Sequence, residues 1–253
     1  MTETSLQTTF PRLMLSHAAQ RPTAAALREK DQGIWQTLSW SGLALLVREL
    51  ACGLAQAGLK RGDHIVVIGE NRPRLYASML AAQSLGAIPV PLYQDAVPAE
   101  FVFPINNAEV AFAIVEDQEQ VDKMMELREQ CPQLKTVWFD DPRGLRKYDE
   151  VGLASLDSLI ESGRAHDKSH PGFFDAEVQA GQPAEVAAMF FTSGTTGNPK
   201  GVVHTHHTLI DRAQAGASFD KLTASEELLA YLPPAWIGQT SSLMRCGCKA
   251  VLW

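Results

Sequence analysis

The chain has 253 residues, 45% hydrophobic and 20% charged, with a formal net charge of -7. This length buries a substantial core as one large domain or two small ones. The acidic balance, with no Lys/Arg-rich tract to offset it, excludes a general nucleic-acid binder, so a phosphate-bearing partner would have to be held locally.

The start, Met1-Thr2-Glu3-Thr4-Ser5, has neither the basic nor the apolar region of a secretory signal. Further along, Leu43, Leu46, Val47, Leu50 and Leu54 fall at helical spacing and predict an amphipathic helix over 41–58, with Ser41 as N-cap. Gly58-Leu59-Lys60-Arg61-Gly62-Asp63 is a turn, and Ile65–Ile68 is a short strand buried on both faces. Asn71-Arg72-Pro73 opens a second helix, carrying Leu75, Met79, Ala82 and Leu85, that ends near Gly86. Ile88–Leu92 is the next strand, and Pro89 and Pro91 assign it to a sheet edge. Val110–Val115 is strand-like, Asp117–Gln130 a charged helix on Val121, Met124 and Leu127, and Leu134–Phe139 strand-like again. This alternation predicts an α/β fold of βαβ units, with mostly parallel sheets flanked by helices. Asp140–Asp149 is a charged excursion whose acids, with Glu150, read as solvated. Leu153–Ile160 is a short helix, and 164–185 a weakly patterned connection or irregular joint. No apolar run reaches the roughly 20 residues that span a bilayer.

The apolar run Val186–Phe191 empties into Thr192-Ser193-Gly194-Thr195-Thr196-Gly197-Asn198-Pro199-Lys200-Gly201. Glycines at 194, 197 and 201 permit close backbone approach and positive φ. Thr192, Ser193, Thr195 and Thr196 supply hydroxyls, and Lys200 supplies a point charge for distal phosphates. Pro199 before the lysine rules out a Walker A sequence. The spacing of His204, His206 and His207 does not bring all three onto one helical face. They are read as capping or solvated residues at the start of a helix over 208–216. The cysteines, Cys52, Cys131, Cys246 and Cys248, lack a framework spacing, which predicts reduced thiols in a cytosolic setting. Cys246-x-Cys248 has no second ligand pair, so no metal site is expected there.

Residues 189–205, Met-Phe-Phe-Thr-Ser-Gly-Thr-Thr-Gly-Asn-Pro-Lys-Gly-Val-Val-His-Thr, resemble the signature of the AMP-forming adenylating enzymes. That superfamily comprises acyl-CoA synthetases, adenylation domains of peptide synthetases and luciferases. Leu38-Ser39-Trp40, Leu59-Lys60-Arg61-Gly62-Asp63, Asn71-Arg72-Pro73 and Gly86-Ala87-Ile88-Pro89-Val90-Pro91-Leu92 are similar to the family's opening subdomain. Tyr231-Leu232-Pro233-Pro234-Ala235-Trp236 looks like its Leu-Pro segment beside the acyl pocket. The resemblance covers roughly residues 8–240. Gly69-Glu70-Asn71-Arg72-Pro73 and Ala235-Trp236-Ile237-Gly238 lean towards the long-chain fatty acyl-CoA synthetases, with aryl or amino acids as the alternative substrate class.

The resemblance implies carboxylate activation in two steps: acyl-adenylate formation from MgATP, then displacement of AMP by the thiol of coenzyme A. Thr192, Ser193, Gly194, Thr195, Thr196, Gly197 and Lys200 would hold the ATP phosphates, and Trp236 and Gly238 would belong to the substrate pocket. The implied organisation is a lead-in at 1–35, a partial AMP-binding domain at 36–240 with its connection at 164–185, and an atypical tail at 241–253. The incomplete N-terminal domain of the adenylate-forming fold is thus the expected architecture. The family's later landmarks are a glutamate that holds magnesium, an aspartate that binds ribose and a C-terminal adenylation lysine. Their motifs are not found in these residues, and the expectation is a frameshift or premature stop from about residue 241 and no turnover by this chain alone. The alternatives are a non-catalytic interaction module and half of an enzyme completed by a complementary chain. A cytoplasmic location, with peripheral membrane contact as in long-chain members, goes with this reading.

Overall fold

The computed structural model describes residues 8–192, 197–223 and 226–239, and the backbone of 249–252. Helix α1 (Phe10–Gln20) buries Phe10 and Met14. Strands β1 (Ala25–Asp31) and β2 (Ile34–Ser39) then form an antiparallel pair. From residue 8 onward the segment read as a lead-in is therefore folded. Helix α2 (Trp40–Ala57) is capped by Ser39, not Ser41: the Ser39 hydroxyl accepts from Gly42 N–H at 3.1 Å, while Ser41 only touches the Ser39 hydroxyl. Gly58 ends this helix in the left-handed region at φ 102°, where a side chain would be strained.

Strand β3 (His64–Ile68), helix α3 (Pro73–Ser84) and strand β4 (Ile88–Leu92) follow as predicted. Helix α4 (Pro98–Asn107) leads to β5 (Phe112–Val115). Helix α5 (Gln118–Glu126), with a 3-10 turn at Arg128–Gln130, leads to β6 (Thr136–Phe139). The segment expected to be a short helix at 153–160 begins as β7 (Leu153–Ser155), a three-residue strand. It continues as α6 (Leu156–Ser169), capped by the Ser155 hydroxyl. Nor is 164–185 irregular, since it holds the end of α6 and helix α7 (Phe173–Ala180). Its few apolar residues suffice because Phe174 and Val178 are buried.

Strands β3 to β7 form a parallel five-stranded sheet in the order β4-β3-β5-β6-β7, with β4 at one edge as its prolines require. Because side chains alternate along a strand, Ile65, Val67, Phe112, Ile114 and Trp138 face one layer, built from α1, α2, α3, α6 and α7. Val66, Ile68, Ala113, Val115 and Val137 face the other, built from α4 and α5. The chain reverses direction across the sheet between β3 and β5, a topological switch point of the doubly wound kind.

Strand β8 (Val186–Thr192) runs beside β4 and pairs antiparallel with β9 (Lys200–Thr205). The Gln83 side chain ties it to α3 by donating to Ala187 O at 2.8 Å. Helix α8 (His206–Phe219) starts directly after β9 and packs Leu209 and Ile210 with Phe10 and Ala187. Strand β10 (Glu227–Ala230) and strand β11 (Lys249–Leu252) complete a four-stranded sheet in the order β10-β11-β1-β2. The segment read as a tail thus supplies a strand that lies parallel between β10 and β1.

Candidate functional site

The register of β8 and β9 sets Thr192 opposite Lys200, so the intervening loop leaves and re-enters the structure at adjacent points. The Thr192 hydroxyl donates to Lys200 O at 3.4 Å and closes the base of the loop. Both residues are exposed. Gly197 has φ 102° with nothing within 4 Å of where a Cβ would stand, so glycine is required there for conformation, not space. Ser193, Gly194, Thr195 and Thr196 lie outside the described residues. What the structure does bring together is the loop's two ends, a left-handed glycine and an exposed ammonium.

Of the neighbouring histidines, His204 and His206 serve packing, while His207 is exposed. The His206 ring is buried, and its Nδ1 accepts from Phe10 N–H at 3.3 Å. It is therefore no solvated cap. Burial first, and Arg12 nearby second, push its pKa down to about 4. The cap of α8 is instead Thr205, whose hydroxyl accepts from Thr208 N–H at 3.1 Å. His204 stacks edge-on to Phe190. Among the described residues, no group of three or more His, Cys, Asp or Glu could hold a metal ion, and no helix is long and apolar enough to cross a membrane. Cys246 and Cys248 lie outside the described residues, while Cys52 and Cys131 are buried.

At the switch point, the crevice between the ends of β3 and β5 is filled by the protein's own carboxylate. Glu116 accepts from Glu70 N–H and from Arg72 Nε, both at 2.6 Å. Beside it, Asp140 is not a solvated loop charge. Its side chain is 13% exposed and pairs with Arg74 at 3.0 Å. Burial raises its pKa to about 6 against the opposing pull of Arg74.

The segment after β10 borders a cleft of about 370 Å³ lined by Glu70, Asn71, Gln94, Leu229, Tyr231 and Pro233, among others. Trp236, 54% exposed, and Gly238, whose Cβ would stand 3.3 Å from Leu232 Cδ1, lie on the same segment but outside that lining. Asn71 is the residue that spacing and composition do not reveal. Its Nδ2 donates to Ala230 O at 3.1 Å and to Leu232 O at 3.0 Å, contacts that cross 159 and 161 positions of sequence. The available signal is its place in Glu70-Asn71-Arg72-Pro73, a polar group set between a buried strand and a helix start.

A doubly wound sheet followed by a strand, a hydroxyl- and glycine-rich loop and a returning strand defines the fold class as the N-terminal domain of an adenylate-forming enzyme. The solved N-terminal domain of FACL13 from Mycobacterium tuberculosis superposes with a TM-score of 0.77 at 22% identity, covering 97% of this chain and 57% of that one. The chain belongs to the AMP-binding enzyme family, whose model matches residues 15–253, the segment 241–253 included. Among curated relatives, the long-chain-fatty-acid–CoA ligase ACSBG1 of Rattus norvegicus is 26% identical over 215 residues, 83% of this chain and 29% of that protein. The long-chain-fatty-acid–CoA ligase FadD15 of Mycobacterium bovis is 25% identical over 227 residues, 89% of this chain and 36% of that protein. The chain thus spans about a third of the length of these relatives.

Proposed function

We propose that this chain carries the phosphate-holding part of an AMP-forming acyl-CoA synthetase that activates a fatty acid, with Thr192, Ser193, Gly194, Thr195, Thr196, Gly197 and Lys200 as its contacts to ATP. The observation that carries the reading is the pairing of Thr192 with Lys200 at the two ends of the loop, because it sets an exposed lysine beside an exposed hydroxyl, three residues after the exposed, left-handed Gly197. This donor set fits a polyphosphate: an exposed lysine, a left-handed glycine with open space around it, and four hydroxyls within five residues of sequence.

Bound MgATP would supply an α-phosphate open to attack by a carboxylate, with pyrophosphate as the leaving group. Lys200 and the loop hydroxyls would neutralise the charge that builds on the departing phosphates. Because β8 and β9 hold the ends of the loop, part of that stabilisation is set before the reaction. Trp236 and Gly238 are assigned to the acyl side by their place on the segment after β10. Coenzyme A is the second substrate of this reading. The fatty acid class rests on the two ligases named above, and aryl or amino acids are the alternative.

Titration calorimetry of pyrophosphate into the chain tests the assignment. We expect binding by the parent and about tenfold weaker binding by Lys200→Ala, the usual scale for losing one charge-assisted contact. Equal binding by both proteins, or none by the parent, would contradict it.

A further inference from the structure

Asn71 is held from both sides. Its neighbours Glu70 and Arg72 each bond one oxygen of the Glu116 carboxylate, at 2.6 Å, and Glu116 is only 12% exposed. The Asn71 carboxamide is oriented in turn by the Tyr76 hydroxyl, which donates to its Oδ1 from a side chain that is 6% exposed. With its oxygen so engaged, Asn71 offers Nδ2 to the carbonyls of Ala230 and Leu232. These carbonyls lie two residues apart at the end of β10, so one side chain takes the place of a neighbouring strand. Gln239 closes the segment by accepting from Leu232 N–H at 3.0 Å. Tyr231, Pro233 and Pro234 are thereby set against the cleft, facing Glu70 and Gln94.

We propose that Asn71, oriented by Tyr76, is a positioning residue for carboxylate selection: it fixes the 230–239 segment and so sets the depth of the pocket that segment walls. The selection half of this claim rests on the acyl reading above, whereas the positional half does not. The backbone bonds Trp236 N–H to Pro233 O and Gln239 N–H to Trp236 O, both 2.9 Å, are internal to the segment, and its two consecutive prolines donate none, so these side-chain contacts help to locate it. Removing the donors leaves two carbonyls without their partner and lets the turn shift. The length of chain that fits would then be less sharply defined.

The test labels the tryptophans with fluorine and follows them by ¹⁹F NMR, assigning Trp236 by its loss in Trp236→Phe. Trp138, in the five-stranded sheet, serves as a fold reference. Asn71→Ala removes the contacts, and Tyr76→Phe deletes only the orienting hydroxyl, a change small enough to leave the core intact. Octanoate and hexadecanoate are titrated into each protein. We expect the Trp236 resonance to move in both variants while Trp138 stays in place, and the preference between the two acids to fall about tenfold. An unmoved Trp236 in both folded variants overturns the proposal, and so does a moved Trp236 with the preference intact. If the parent binds neither acid yet Trp236 moves, the acyl reading fails and the positional claim stands.

Discussion

His206 and Asp140 bring opposite pH dependences to the same window. His206 is neutral in the fold, its pKa lowered to about 4 from the ordinary 6.5. The unfolded chain therefore binds the extra proton between those values, and stability contributed by His206 is lost as pH falls from about 6.5 to 4. Asp140 is the reverse, a carboxyl raised to about 6 from 3.8. Here the folded state binds the extra proton, so its contribution to stability grows as pH falls from about 6 to 4. Across its window each group changes stability by up to about 1.4 kcal/mol for every step of one in pH, and in the parent the two largely offset one another. Urea unfolding at pH 7 and 4.5 separates them. Asp140→Asn should lose stability on acidification more steeply than the parent. His206→Gln, which keeps an acceptor for Phe10 N–H, should lose it less steeply. Identical pH slopes in all three would refute both assignments. Neither group was legible in the sequence as buried. Asp140 sits in an acidic run that reads as solvated, and only the fold brings Arg74 to it; His206 reads as a helix cap until α1 is seen to lie against it.

The crossing of α2 and α6 depends on two glycines. A Cβ at Gly163 would overlap the Glu49 carbonyl and stand 2.8 Å from Gly53 N, and one at Gly53 would overlap the Leu159 carbonyl. Glu49, 8% exposed, fastens the same crossing by accepting from Arg164 Nε at 2.7 Å and Nη2 at 3.1 Å. Gly163→Ala should therefore lower the urea midpoint by an amount equivalent to about 1–3 kcal/mol, even though alanine favours a helix by about 1 kcal/mol. A midpoint equal to or above the parent's would show that the helices can separate at no cost. Elements with strong local signals were legible: α2 by its leucine spacing, β3 by its unbroken apolar run, and the edge position of β4 by its prolines. Those built by distant pairing were not. Helix α4 carries Pro104 in its interior, which argues against a helix when read alone. Strand β1 is largely polar and has its place because β2 and β11 pair with it on either side. The loop hairpin was half legible, since β8 is apolar enough to announce itself, whereas β9 is exposed at Lys200 to Val203 and shows only through its partner.

For the whole molecule, the doubly wound sheet serves as a platform whose own switch point is bridged by Glu116, and the ligand contacts proposed above fall in the segments that follow it. The loop proposed for phosphate leaves from the end of β8, alongside the sheet, and the segment proposed for the acyl side is fastened to the end of β3 through Asn71. Sequence spacing could propose the loop because its residues are contiguous. It could not identify Asn71, whose partners are brought to it by folding. The central claim is that the loop between Thr192 and Lys200 receives the phosphates of ATP. Photo-crosslinking with ATP carrying an azide on its γ-phosphate, followed by tryptic mapping, tests this most directly. The account predicts label on the peptide 169–200, suppressed by unlabelled pyrophosphate and reduced about tenfold in Lys200→Ala, a variant whose digest is read on the longer peptide that the lost cleavage site creates. Label confined to other peptides, or label that pyrophosphate does not displace, would contradict it.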